Sequence, residues 1–128
     1  MSAMSDYLEL EVLDHVLGTG AYTMPSNVYI GLSTGSFGDD NSGTELSGSG
    51  YARQAITFAA ASSGSAATNA TVTFPTATGS WGAISHWGLY DASRSGNLLI
   101  HGAFASSKTI ANGDVLRVNS GDLTVTAA

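Results

Sequence analysis

The chain has 128 residues, of which 43% are hydrophobic and 11% are charged, and its formal net charge at pH 7 is −6. It contains no cysteine, and its four basic residues are scattered along the sequence at Arg53, Arg94, Lys108 and Arg117. These features exclude a disulfide framework and a thiolate metal site, and they disfavour binding to nucleic acid or an anionic membrane, because both need clustered cations. We therefore expect one domain, spanning residues 1–128, with neither a nucleic-acid nor a membrane partner and without a cofactor.

The first predicted element is a helix over about residues 6–17. Ser5 is suited to cap its N-terminus, and Gly18 can end it. Two apolar seams follow from a turn of about 100° per residue. They contain Leu8, Val12 and Val16 in the first, and Leu10, Leu13 and Leu17 in the second. Together the seams are wider than the stripe of an ordinary surface helix. Either the helix is deeply embedded in its own domain, or one seam packs on the chain's own sheet and the other on a neighbouring subunit.

From about residue 27 to residue 126 the apolar pattern changes to a period of two, which is typical of β-strands. The predicted strands cover residues 28–33, 53–58, 70–74, 84–90, 97–104, 115–118 and 123–126. Polar, glycine-rich segments at 35–50 and 62–69 are predicted to be loops. About seven or eight short strands after one N-terminal helix predict a mainly β fold, an antiparallel sandwich or jelly-roll-like domain.

The segment 91–96 is predicted to join two of these strands as a hairpin. If its loop is symmetric, Leu89 faces Leu98 and Trp87 faces Ile100, and both are favourable cross-strand pairs.

The same register places His86 opposite His101. Two facing imidazoles would repel each other when protonated, so this is a candidate pH-sensitive pair. A metal site would need a third ligand, and nothing in the sequence brings His15 on the helix nearby. The remaining interpretation is a pair of neutral, hydrogen-bonded side chains within the sheet.

Other residues suggest chemistry only weakly. Asp39, Asn41 and Glu45 have the alternate spacing of calcium ligands, although a solvated acidic loop has the same composition. No nucleophile elbow and no phosphate-binding glycine motif occurs, so we expect no enzymatic activity. Four aromatic residues would form either a sugar-binding platform or part of the core: Tyr51, Trp81, Trp87 and Tyr90.

Three segments resemble a family of small tailed-bacteriophage virion proteins that are often labelled tail-fibre proteins. The first is the helix region 5–18 followed by Val-Tyr-Ile-Gly-Leu-Ser at 28–33. The second is Gly-Ser-Gly-Tyr-Ala-Arg-Gln-Ala-Ile-Thr-Phe at 48–58. The third runs from Val-Thr-Phe-Pro at 72–75 through His-Trp-Gly-Leu-Tyr-Asp at 86–91 to Gly-Asp-Val-Leu-Arg at 113–117.

The resemblance implies a non-enzymatic structural part of a phage particle. Because the sequence has no shaft repeats, we expect a capsid decoration (cement) protein on the particle exterior, assembled in the host cytoplasm. It would bind the major capsid protein or another virion protein, and a homo-oligomer, preferably a trimer, is expected. A small tail or fibre component that contacts the host is the alternative, and a carbohydrate-binding module is a second one.

The contact elements are expected to be the helix and the 35–50 loop, with Arg53 pairing either with a partner's carboxylate or within the domain. The candidate contact residues are Leu8, Glu9, Val12, Val16, Phe37, Asp39, Asp40 and Arg53.

Overall fold

The structure is a computed structural model that describes residues 2–126, and it is mainly β with one helix, as predicted. The helix α1 spans Asp6–Val16. The strands are β1 (Ser2–Met4), β2 (Val28–Ser33), β3 (Gln54–Ile56), β4 (Ser65–Ala67), β5 (Val72–Thr73), β6 (Gly82–Tyr90), β7 (Leu98–Ile110), β8 (Arg117–Val118) and β9 (Thr124–Thr126). Within residues 2–126, no helix is both long and apolar enough to cross a membrane.

Five of the strands form one antiparallel sheet in the order β1-β7-β6-β2-β3. Two small antiparallel ribbons, β4-β9 and β5-β8, supply further strands. The main core is a cluster that joins the sheet to the ribbons. It includes Ile30, Leu32, Ile84, Trp87 and Leu89 from the sheet, and Val72, Phe74, Leu116, Val118 and Leu123 from the ribbons and their flanks. The arrangement is sandwich-like, because apolar side chains of a long sheet pack on those of smaller strand pairs.

The helix forms where the sequence predicted it, because both of its ends are capped. The Ser5 hydroxyl accepts a hydrogen bond from the Leu8 amide at 3.2 Å and donates one to the Leu98 carbonyl, which ties the helix start to β7. At the other end, Gly18 has a φ of +79° and the Thr19 amide donates to the Asp14 carbonyl at 2.8 Å. This left-handed turn is the usual way a glycine ends a helix.

Two strands were not expected. Residues 65–67, which were predicted to lie in a loop, form β4 and pair with β9. The N-terminal residues 2–4 form β1 and pair with residues 100–102 of β7. Small residues such as Ser and Ala carry little strand signal, so the pairing here depends on a neighbouring strand and not on local propensity.

The predicted register of the β6–β7 hairpin is wrong. Leu89 lies opposite Ile100 and Tyr90 opposite Leu98, so Leu99 is left without a partner as a β-bulge. The turn already moves the register by one position, since Tyr90 would pair with Asn97 in a symmetric loop, and the bulge adds a second position for the pairs that follow. His86 therefore faces Ala103, and His101 faces Gly88. The directly opposed histidine pair does not exist.

The aromatic side chains pack inside the fold, which confirms the core interpretation of these four residues over the sugar-binding platform. Trp81, Trp87 and Tyr90 are buried, and Tyr51 is partly buried. Tyr51 stacks on Phe74 with ring centroids 6.3 Å apart, and Trp81 meets Tyr51 edge to face at 5.6 Å. A sugar-binding platform needs an exposed ring face, and these rings are packed within the domain.

Candidate assembly surface

The helix α1 exposes most of its apolar side chains. Leu8 is buried and Val12 is partly buried. The side chains that face solvent are Leu10 (65% exposed), Leu13 (54%), Val16 (72%) and Leu17 (71%). The interpretation of a deeply embedded helix is therefore wrong. We call Leu10, Leu13 and Leu17 the leucine stripe, and it is an unusual feature because large aliphatic side chains usually lie inside.

The predicted contact residues on the helix divide into two groups. Leu8 points into an apolar cavity of about 290 Å³ that also touches Leu89, Leu99 and Val125, so it anchors the helix to its own chain. Glu9 and Val16 are exposed. The first seam is thus buried only at its N-terminal residue, Leu8. The second seam, which is the leucine stripe, faces solvent along its whole length.

The leucine stripe lies among acidic side chains. Asp6, Glu9, Glu11 and Asp14 all belong to α1, which contains neither lysine nor arginine. Three of these four carboxylates are exposed, and Glu11 is partly exposed. A surface that binds this helix must therefore offer apolar contact together with positive charge.

The 35–50 loop is fixed to the sheet near its start by Phe37. Phe37 is fully buried and contacts Tyr90 edge to face, with 6.0 Å between ring centroids. Phe37 also lies over Gly88, where a β-carbon would come within 3.3 Å of its ring. A glycine inside a strand thus allows the loop to approach the sheet closely.

The acidic tip of the loop is anchored by hydrogen bonds. Asp39 is exposed, and its Oδ1 lies 2.7 Å from Nε2 of the largely buried His101. Asp40 is exposed and accepts a hydrogen bond from the Ser42 amide at 3.0 Å. Hydrogen bonds from Ser42 lower the pKa of the Asp40 carboxyl.

The three candidate calcium ligands are engaged separately. Asp39 binds His101, Asn41 Oδ1 accepts from the Tyr90 hydroxyl at 2.9 Å, and Glu45 binds Arg53. Among residues 2–126, no three histidine, aspartate or glutamate side chains converge as a metal site. Asp39 and Asp40 are exposed, as expected for a solvated acidic loop.

Arg53 pairs within the chain, which was one of its two predicted roles. Its side chain is 8% exposed, and its guanidinium contacts both oxygens of Glu45, at 2.8 Å from Nη2 and 2.9 Å from Nε. Nη1 donates to the carbonyls of Ala92 and Ser95 at 2.9 and 2.8 Å. The guanidinium carbon lies 3.5 Å from the centre of the Tyr90 ring. Arg53 therefore connects the 35–50 loop to the 91–96 turn and has little capacity left for a partner.

The electrostatics around Arg53 keep the neighbouring phenols neutral. Burial raises the pKa of Tyr90 to about 12, and the charge of Glu45 adds to the effect. Burial and the hydrogen bond to Glu45 also raise the pKa of Tyr51 well above its usual range. Neither phenol is prepared to lose a proton near neutral pH, so the cluster holds structure and is a poor acid–base centre.

Residues 3–126 match the model of a protein family that is described as Podophage GP4 fiber I protein gp80. No curated protein matches the chain.

Proposed function

The chain belongs to the podophage GP4 fiber I protein gp80 family, which makes it a structural component of a tailed-phage virion, and we propose that it is an adhesive, non-enzymatic subunit of a fibre on the particle exterior. The family match covers almost the whole chain and carries the proposal. The exposed leucine stripe supports it, since a virion subunit must hold its neighbours without covalent bonds.

The surface chemistry agrees with an exterior, protein-binding role. The chain is acidic, with a net charge of −6, and one of its four cations, Arg53, is used internally. Such a surface is repelled by packaged nucleic acid and by anionic lipid. Partners are therefore other virion proteins, and neither DNA nor a membrane is a partner.

Capsid decoration is the second candidate function. It is supported by the architecture of residues 2–126. They form one helix, one five-stranded sheet and two ribbons, and they show none of the repeats of a fibre shaft. A subunit of this shape can cover a junction between capsomers as well as it can sit on a tail. Both candidates use many weak contacts that are repeated by symmetry.

Counting and locating the protein in purified virions separates the two candidates. Quantitative mass spectrometry would give copies per particle against the major capsid protein, and antibodies raised against the recombinant chain would label particles for electron microscopy. A fibre subunit gives a small multiple of the tail symmetry and label at one pole. Copies that scale with capsomers and label all around the head would overturn the fibre proposal and support decoration. Complete absence from the virion would refute both.

A further inference from the structure

A cavity with an apolar floor lies at the end of β7 that is far from the helix; Ile84, Leu116 and Val118 in its floor are buried, and Phe104 is partly exposed. The cavity has a volume of about 190 Å³ and is open to solvent between β7 and β8, and we call it the basic groove. Its apolar lining is Ile84, Phe104, Leu116 and Val118. An apolar cavity of roughly 150 Å³ accepts a group as large as benzene, so this groove has room for an aliphatic side chain.

The charge at this groove is the opposite of the charge on the helix. Lys108 and Arg117 both line it, and both are exposed. The two ion pairs within residues 2–126 are Glu45–Arg53 and Asp39–His101, so neither groove cation is used there. Asp122 also lines the groove, but its carboxylate accepts a hydrogen bond from the Asn119 amide at 3.1 Å.

The helix of one chain cannot fill its own groove. Ser5 holds the helix start to Leu98 and Leu99, at the beginning of β7. The groove begins at Phe104 and extends to Lys108. At about 3.3 Å per residue, the two sites are roughly 20 Å apart along the same strand.

From this complementarity we infer that the leucine stripe of one copy docks in the basic groove of the next copy. The leucines supply apolar contact, and the carboxylates beside them meet Lys108 and Arg117. Pairing two helices with each other is less favourable, because it would bring together two surfaces that each carry four acidic residues.

The proposed contact joins two different patches, so it is head to tail. Such an interface either closes into a ring, of which the expected trimer is one case, or continues as a filament. The interface is tested with the purified chain in solution, so the result does not depend on where the protein lies in the particle.

Two variants and their mixture test this interface. The stripe variant carries Leu10→Gln and Leu13→Gln, which keeps good helix formers in α1. The groove variant carries Lys108→Glu and Arg117→Glu. Arg94→Glu is the matched control, because it reverses an exposed cation in the 91–96 turn, outside the groove lining. All altered residues are exposed, so circular dichroism and melting curves should be unchanged.

Light scattering coupled to size-exclusion chromatography gives the outcomes. We expect the wild type and Arg94→Glu to assemble, and each interface variant to bind itself at least about tenfold more weakly. An equimolar mixture of the two variants should form a dimer and nothing larger, because one intact stripe meets one intact groove. Added salt should weaken wild-type assembly through screening.

Three results would overturn the inference. A wild type that stays monomeric at its solubility limit would do so. So would a groove variant that assembles like the wild type, because the stripe would then be binding elsewhere, for example to another helix. A mixture that remains monomeric would show that the two surfaces are not partners.

Discussion

Replacing Arg53 with alanine tests whether the 35–50 loop is held by one partly buried ion pair. The substitution removes the pair with Glu45, the two hydrogen bonds to the Ala92 and Ser95 carbonyls, and the contact with the Tyr90 ring. Glu45 would remain, 21% exposed at its side chain and still bonded to the Tyr51 hydroxyl, but without its cation.

The expected loss is about 2–4 kcal/mol of unfolding free energy. This is less than the full cost of breaking a buried pair, because the Glu45 side chain is 21% exposed and stays partly hydrated. Adding the separate contacts would give more, but they share one side chain and are not additive. Small proteins have about 5–15 kcal/mol in total, so the variant should be marginally stable at 25 °C. Urea unfolding followed by tryptophan fluorescence measures the loss. The control Arg94→Ala removes an exposed arginine of the 91–96 turn and should stay within about 0.5 kcal/mol of the wild type.

A double-mutant cycle identifies the cause. Glu45→Gln keeps the shape of the side chain but removes its charge, so Arg53→Ala should cost much less in that background. A loss below about 1 kcal/mol for Arg53→Ala alone would refute the idea that the Glu45–Arg53 ion pair holds the loop. Strict additivity of the two substitutions would show that the cost comes from packing or from the two carbonyls instead.

Three further predictions concern the sheet, the helix cap and alkaline pH. Gly31→Ala should cost about 1–3 kcal/mol, because a β-carbon there would lie 2.7 Å from Glu45 Oε2, whereas Gly35→Ala, with open space around it, should be neutral in the same denaturation assay. Ser5→Ala should lose about 1–3 kcal/mol and reduce helical circular dichroism, since it removes the helix cap and a buried hydrogen bond, and an unchanged spectrum and stability would contradict the anchor. Burial raises the pKa of Tyr90 to about 12, whereas the phenol of the unfolded chain has a pKa of about 10. The contribution of the neutral Tyr90 phenol to the free energy of unfolding is therefore fully present below about pH 10 and is lost as the pH rises toward 12. Tyr90→Phe should flatten that decline by up to about 1.4 kcal/mol per pH unit, and an identical pH profile would count against the shift.

The features that depend on local signals could be predicted from the sequence. The helix was predicted within one residue of its observed end, because Ser5 and Gly18 mark its limits. The strand at 28–33 was predicted with its observed bounds, because its residues alternate in polarity. The His86–His101 pairing failed for a different reason. The turn is asymmetric by one residue and one residue of β7 bulges, so the two shifts add, and nothing in the apolar run at 98–100 shows which of its residues bulges.

The outward seam of the helix could not be chosen from the sequence for a related reason. Both seams contain three large aliphatic residues, so hydrophobicity does not distinguish them. The choice is made by the hydrogen bonds of Ser5, which fix the helix start on β7 and turn Leu8 into the cavity beside Leu99 and Val125. Once Leu8 is inward, a position two residues further along, about 200° around the helix, must face solvent, and this position is Leu10. The exposed stripe is therefore a consequence of one capping residue and its partner strand, and moving that anchor should change which seam a neighbouring subunit can reach.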